Sequence, residues 1–146
     1  MRRTSAALGY VPVMSQEASA APSPLPSAIT IAHVVYGLHA FAIAVGLLGS
    51  ATVIGSFVGS VPSIVAVILN YLKQRDARGT WLESHYRWQI RTFWFAIGWV
   101  ALAFVLIVTL IGIPFAVVIL IGVSIWLVYR VVRGWLRLRD GLPMYV

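Results

Sequence analysis

Two long stretches without a charged residue constrain the fold of this chain more than any other feature. Residues 28–72 and 92–129 contain no Asp, Glu, Lys or Arg. A transmembrane helix needs about 20 apolar residues to cross about 30 Å of hydrocarbon, so each stretch is roughly long enough for two crossings. The sequence therefore predicts an all-α integral membrane bundle of four transmembrane helices.

The composition agrees with a membrane protein. Of 146 residues, 60% are hydrophobic and 10% are charged, more apolar side chains than a small soluble domain can bury. A net charge of +7 would suggest nucleic acid as a partner. However, all 11 Lys and Arg residues lie outside the two uncharged stretches, as in cytoplasmic flanks beside anionic lipid head groups. We therefore expect the lipid bilayer as a partner and no nucleic acid.

Glycine and proline suggest where the stretches divide. Gly112 and Pro114 predict a turn in the second stretch, with the proline starting a new helix. In the first, a turn is expected among residues 55–62, with Pro62 as a helix-start proline. The predicted helices lie near 30–54, 58–74, 91–111 and 114–132. They form a domain over 28–139, between a disordered tail at 1–27 and a short C-terminal tail at 140–146.

The basic residues predict the orientation. They are concentrated between the second and third helices and after the fourth, whereas both hairpin turns lack charge. By the positive-inside rule, the central loop and both termini are cytoplasmic, as expected for a multi-pass protein of the bacterial inner membrane. Residues 18–20 imitate a signal-peptide cleavage site, but Gly9 and Pro12 interrupt the apolar stretch before it, so no cleavage is expected. Translation starts at either Met1 or Met14.

The stretch before the third helix is amphipathic. Thr80 and Glu83 have the spacing of a capping box, which predicts a helix start at Thr80. Basic and acidic residues fall on one side of this helix and aromatic residues on the other, so it is expected to lie at the cytoplasmic interface and run into the third helix. Its candidate structural or interaction site consists of Trp81, Glu83, His85, Arg87, Gln89 and Arg91.

Within that site, His85 and Gln89 lie one helical turn apart on the apolar side. Polar groups facing that way need hydrogen-bond partners, either each other or neighbouring helices. One interpretation is a structural hydrogen bond that locks the interfacial helix to the bundle. The other is a functional site, such as a partner contact or a proton-sensitive group.

The chain ends in a second basic segment. Arg130, Arg133 and Arg137 share one helical face, which predicts a lipid-facing basic patch; docking of a cytoplasmic partner is the alternative. Gly141 and Pro143 are expected to end the helix.

Small residues recur every fourth position near the end of the first predicted helix. Ala42, Gly46 and Ser50 form one row, and Ala51, Gly55 and Gly59 form another. Such rows let helix backbones approach closely, either within one bundle or between copies of the chain.

No residue pattern indicates catalysis. The chain has no cysteine, and His33 and His39 are about 120° apart around a helix, too far around for a shared metal face. Neither uncharged stretch contains a carboxylate, and no serine is spaced to pair with a histidine. We therefore expect no catalytic, cofactor-binding or metal-binding residues and no enzyme activity.

Two segments carry a family resemblance. Residues 70–73, NYLK, and 82–94, LESHYRWQIRTFW, resemble a bacterial family of small membrane proteins that is distantly similar to a channel-forming component of the plastid protein-import translocon. The family's pattern of a hairpin, a basic loop, and a His and a Gln opening the third helix matches His85 and Gln89. The resemblance covers roughly residues 28–139 and implies a fold, but no chemistry and no import role.

We therefore expect the protein to function by packing against other helices in the membrane. The favoured interpretation is an accessory, assembly or interaction subunit that packs against other membrane helices. The alternative is an oligomeric channel or transport-type protein. It is less favoured because few polar residues are available to line a pore, namely His33, His39, Thr52, Asn70 and Thr109.

Overall fold

The computed structural model of the protein describes residues 22–49 and 53–145, with side chains at 22–48 and 60–145. In these ranges the chain forms helices and no strand, which confirms the all-α prediction. The helices are α1 (Pro26–Gly49), α2 (Val53–Lys73), α3 (Glu83–Val108) and α4 (Ile113–Arg139), with a short 3-10 helix at Gln74–Ala77. Most of the predicted N-terminal tail, residues 1–21, lies outside the described residues.

Three helices are long and apolar enough to cross a membrane: Pro26–Leu48, Glu83–Val108 and Ile113–Arg139. The predicted membrane character is confirmed at this level. Since α2 is not among the three, the fourth crossing stays a prediction.

The predicted turn in the first uncharged stretch is wrong. α2 already begins at Val53, so Pro62 lies inside this helix rather than at its start. Glycine and proline are weak breaks in membrane helices, because surrounding helices and local backbone adjustments restore the lost hydrogen bonds. The second small-residue row is consequently not on the first helix, since Gly55 and Gly59 belong to α2. Residues 50–52 lie outside the described residues. They include Ser50 and Ala51 of the predicted small-residue rows and Thr52 of the predicted pore lining.

The predicted helix start at Thr80 is also wrong, because α3 begins at Glu83. The Thr80 hydroxyl accepts a hydrogen bond from the Leu82 N–H (3.3 Å), and the Glu83 carboxylate accepts one from the Gly79 N–H (3.0 Å). Both bonds are shifted by one residue from a capping box, so they hold a turn rather than a first helical turn. From Glu83 the helix continues without a break to Val108.

The turn and helix end predicted around α4 are confirmed. Gly112 precedes the helix, and Pro114 lies in its first turn. The helix ends after Arg139, where Gly141 has φ +68°. The Leu142 N–H donates to the Arg137 carbonyl (2.9 Å) and the Gly141 N–H to the Leu138 carbonyl (3.1 Å), which together form a Schellman motif.

The helices form two hairpins. α1 packs along α2 and α3 along α4, and the hairpins meet mainly where α1 contacts α4. The buried core lies where α1 and α3 begin and α4 ends, and it consists of Ala28, Ala32, Tyr36, Ala77, Leu82, Tyr86, Val131 and Leu138. Farther along α3 and α4 the helices cover little of each other. In each of the two helices, 11% of an 18-residue apolar segment is buried. Large apolar side chains such as Phe104, Phe115 and Val118 are exposed there.

Candidate functional site

His85 lies in the first turns of α3 and is fully buried. Its Nδ1 atom is 3.1 Å from the Tyr36 hydroxyl of α1, and its Nε2 atom is 2.8 Å from the Leu142 carbonyl after α4. The ring also makes edge contacts with Tyr36 and Trp81, at 6.1 and 5.7 Å between centroids. One side chain therefore joins the start of α3 to both α1 and the C-terminal segment.

The two partners define the tautomer of His85. A carbonyl oxygen can only accept, so Nε2 carries the hydrogen that is donated to Leu142. In the neutral ring Nδ1 is then an acceptor, and the Tyr36 hydroxyl donates to it. Both ring nitrogens are engaged, so neither is available to ligate a metal or to take a proton from a substrate.

The C-terminal segment folds back onto α3. The Met144 N–H donates to the Ser84 hydroxyl (2.8 Å), which itself donates to the Trp81 carbonyl (2.7 Å). The Met144 side chain is buried at 5% exposure. Residues 142–144 are consequently part of the bundle rather than a free tail.

Gln89 lies one turn after His85 and contacts α1 instead of His85. Its Nε2 donates to the Ala32 carbonyl at 3.3 Å, and the Tyr86 hydroxyl donates to the Ala28 carbonyl at 3.0 Å. Ala28 and Ala32 are fully buried. Alanines one turn apart let α3 approach the α1 backbone closely enough for both bonds.

The Tyr36 side chain, which bonds to His85, passes close to α4 at Gly134, where α4 has no side chain. A Cβ atom at position 134 would overlap the Tyr36 ring and hydroxyl. Gly134 is buried in this contact. The glycine therefore makes room for the tyrosine that binds His85.

Arg130 of α4 turns toward α3. Its guanidinium carbon lies 3.4 Å from the centre of the Trp88 ring, and its Nε donates to the Thr92 hydroxyl at 2.7 Å. The Trp88 carbonyl accepts a longer bond from Nη2 (3.4 Å). No acid among the described residues pairs with Arg130. A cation over a tryptophan face is stabilised by the ring quadrupole.

The other two arginines of the predicted patch have different surroundings. Arg133 is exposed and donates to the Tyr129 hydroxyl on its own helix. Arg137 donates to the Pro143 carbonyl (3.0 Å) and lies over the Tyr145 ring (4.4 Å). The sequence predicted one lipid-facing patch of three guanidinium groups. In the structure Arg130 makes an interhelical contact, Arg133 is exposed, and Arg137 contacts the C-terminal segment.

The remaining predicted site residues lie on the outside of α3. Glu83 and Arg87 form an ion pair at 3.7 Å between partly exposed side chains, and Arg91 is exposed. Trp81 is half-buried against His85. The charged stripe is thus separate from the buried pair of His85 and Gln89, as the helical spacing predicted.

Sequence reasoning missed the partners of the site. Tyr36 and Tyr86 are among the largest fully buried side chains, and neither was proposed as a site residue. For Tyr36, its position inside an uncharged stretch is a usable signal, because a buried hydroxyl needs a partner. Arg130 was assigned to the lipid face, and its position directly after an uncharged stretch gave no sign of the contact with Trp88.

The hydrogen bonds of His85 and Gln89 join α3 to α1 and to the C-terminal segment. No group of three or more His, Cys, Asp or Glu residues in the described part of the chain is placed to hold a metal ion. No serine or threonine hydroxyl in this part of the chain is hydrogen-bonded to His85, whose two bonds go to a phenol and a carbonyl.

Comparison of this chain with protein-family models, with curated proteins and with solved structures gave no match. The resemblance carried by residues 70–73 and 82–94 therefore remains an expectation.

Proposed function

We propose that this protein is a four-crossing protein of the bacterial inner membrane with both termini in the cytoplasm. It acts without catalysis, as an accessory, assembly or interaction subunit that packs against a transmembrane helix of another membrane protein. The observation that carries this proposal is an apolar cleft between the two hairpins.

The cleft has a volume of about 560 Å³, and residues from all four helices line it. Large apolar side chains form much of the wall, among them Ile43, Ile64, Phe93, Ile97, Val100 and Phe104. Ser60, Ser63, Ala96 and Ala101 add small residues and His39 adds an imidazole, whereas no Asp, Glu, Lys or Arg of the described residues lines the cleft.

A transmembrane helix is the occupant that this lining favours. In lipid, helices associate through van der Waals packing, and small residues at the contact let backbones come close. The cleft offers such residues on α2 and α3, within a wall of apolar side chains. Among the described residues, its lining carries no Asp, Glu, Lys or Arg that would bind a charged substrate.

A channel is less well supported. Of the polar residues that could line a pore, His39 and Asn70 are buried, and Thr109 lies in the turn between α3 and α4. The His33 ring accepts a hydrogen bond from Trp135 Nε1 (3.2 Å). Of these four side chains, His39 lines the cleft between the hairpins and the other three do not.

Filling the cleft tests the proposal. Ala101→Trp places a large ring in the cleft, whereas Val105→Trp changes a neighbouring exposed position that does not line it. The full-length variants are purified in mild detergent, and proteins that co-elute with the unaltered chain are identified by mass spectrometry and quantified. We expect Ala101→Trp to accumulate normally and to lose the partner, and Val105→Trp to retain it.

Three results would contradict the proposal. Equal recovery of the partner with both variants would show that the cleft is not the contact. A chain that elutes alone would contradict a subunit role. A stable homo-oligomer that conducts ions in planar bilayers would favour the channel alternative.

A further inference from the structure

A second, much smaller cavity lies between α1, α3 and α4. The space open to the centre of a water molecule is about 10 Å³, which corresponds to a single water molecule. The cavity is lined by Tyr36, His39, Trp88, Gln89, Thr92, Arg130 and Val131, and every one of these residues except Val131 carries a polar group.

Gln89 presents an acceptor to this cavity. Its amide orientation follows from the Ala32 carbonyl, which accepts a hydrogen bond from Nε2 at 3.3 Å and could not accept one from an oxygen. The opposite atom, Oε1, is buried and has no hydrogen-bond partner among the described residues. A buried acceptor without a donor destabilises a fold.

His39 presents a second acceptor. Its Nδ1 lies 2.9 Å from the Val35 carbonyl, which can only accept, so Nδ1 carries the ring hydrogen. Nε2 of the neutral ring is therefore a bare acceptor. It is also buried and has no partner within the described part of the chain.

Arg130 supplies donors at the same cavity. The guanidinium has five N–H groups, of which one bonds to Thr92 and one more weakly to Trp88. Thr92 cannot supply the missing donor, because its hydroxyl hydrogen goes to the Trp88 carbonyl (2.6 Å).

We infer that this cavity is a binding site for one ordered water molecule that donates to Gln89 Oε1 and His39 Nε2 and accepts from Arg130. Water fits because it combines two donors with acceptor lone pairs. An anion would face two acceptors, and a second cation would face the guanidinium group. The bound water joins α1, α3 and α4, and it completes the hydrogen bonding around a cation without an acidic partner.

Nuclear magnetic resonance of the full chain in lipid bilayers tests this inference directly. With ¹⁵N-labelled histidine the protein gives three ring systems, which single-residue variants assign. We expect His39 to carry its hydrogen on Nδ1 and to show magnetisation transfer from water to Nε2. A hydrogen on Nε2, or no transfer to His39 while the half-buried His33 receives it, would overturn the inference.

A pair of matched variants gives a second measurement. Val131 lines the cavity, so Val131→Ile adds about one methylene where the water binds. Val123→Ile adds the same group on α4 beside an apolar cleft lined by Trp99, Ile119 and Trp126. We expect Val131→Ile to abolish the water signal at His39 and Val123→Ile to preserve it. Survival of the signal in Val131→Ile would place the water elsewhere and overturn the inference.

Discussion

Polar side chains within this apolar bundle differ in how completely they are paired. His85 has a donor and an acceptor on different segments, and both bonds are between 2.8 and 3.1 Å. Gln89 makes one bond of 3.3 Å. Asn70 is fully buried, and neither amide atom has a partner among the described residues. Since an unpaired buried group destabilises a fold, individual substitutions should have graded effects.

Replacing His85 should be more damaging than replacing Gln89. His85→Ala leaves the Tyr36 hydroxyl and the Leu142 carbonyl without their partner, which should lower the free energy of unfolding by about 1–3 kcal/mol or more. Gln89→Ala removes one longer bond to α1. Thermal unfolding of the detergent-solubilised protein measures both effects, with Arg87→Ala as the exposed control, expected at about 0–1 kcal/mol.

The double variant provides a further check. His85 and Gln89 lie one helical turn apart, and Tyr36 bonds to His85 and lines the same small cavity as Gln89. Because residues with a shared neighbour couple, the double variant should be less damaging than the sum of the single variants. Additive effects would mean that the two side chains act independently. An Arg87→Ala variant less stable than His85→Ala would mean that α3 is rotated and its arginines face a protein.

Arg130 and Arg133 lie on the same helix and allow a matched comparison of two variants. Arg130→Gln should destabilise the protein, because it removes the stacking on Trp88 and the bond to Thr92. Both Arg130 and Trp88 are half-buried, so the cation–π contact should contribute between about 0.5 and 2 kcal/mol. Arg133→Gln should change stability little, since its group is exposed. The same melting experiment compares them, and equal effects would argue that Arg130 also faces lipid or water.

At the scale of helices, the closeness of α4 to α1 depends on Gly134. Gly134→Ala would push a methyl group into the Tyr36 ring, and overpacking of this kind costs about 1–3 kcal/mol. Gly122→Ala is the control on the same helix, because a Cβ there meets no other atom. It should be neutral or stabilising, since alanine is the better helix former by about 0.5–1 kcal/mol.

Melting temperatures of the two glycine variants test this prediction. The Tyr36–His85 bond should also weaken in Gly134→Ala, which the histidine ¹⁵N shifts of His85 report. An unaltered His85 signal together with wild-type stability would show that α1 and α4 can separate without cost.

At the scale of the whole molecule, the open question for experiment is how the helices cross the bilayer. From the distribution of basic residues, reporter fusions after Gln74 and Val146 should score cytoplasmic, and one at Gly112 external. A tag on the N-terminus tests α2 separately. It should lie on the same side as Gln74 if α2 crosses, and on the opposite side if only the other three helices do. A periplasmic C-terminus would contradict the even number of crossings.

The membrane character, the helical class, and the turn and helix end at Pro114 and Gly141 could all be predicted from the amino-acid sequence. These properties follow from local features, namely the length of apolar stretches and residues with restricted or unusual backbone angles. The sequence also identified His85 and Gln89 as polar groups on an apolar face. The turn predicted near Pro62 failed because helix-breaking residues lose much of their effect inside a membrane bundle.

The hydrogen-bond partners of those side chains could not be predicted in this way, because they depend on how the helices pack. The partner of His85 is Tyr36, 49 positions away, and the partner of Arg130 is Thr92, 38 positions away. No periodicity in the sequence links such positions, because contacts between helices depend on how the hairpins pack. Arg130 shares a helical face with Arg133 and Arg137, yet its side chain turns toward α3, where Trp88 offers a π face and Thr92 a hydrogen-bond acceptor.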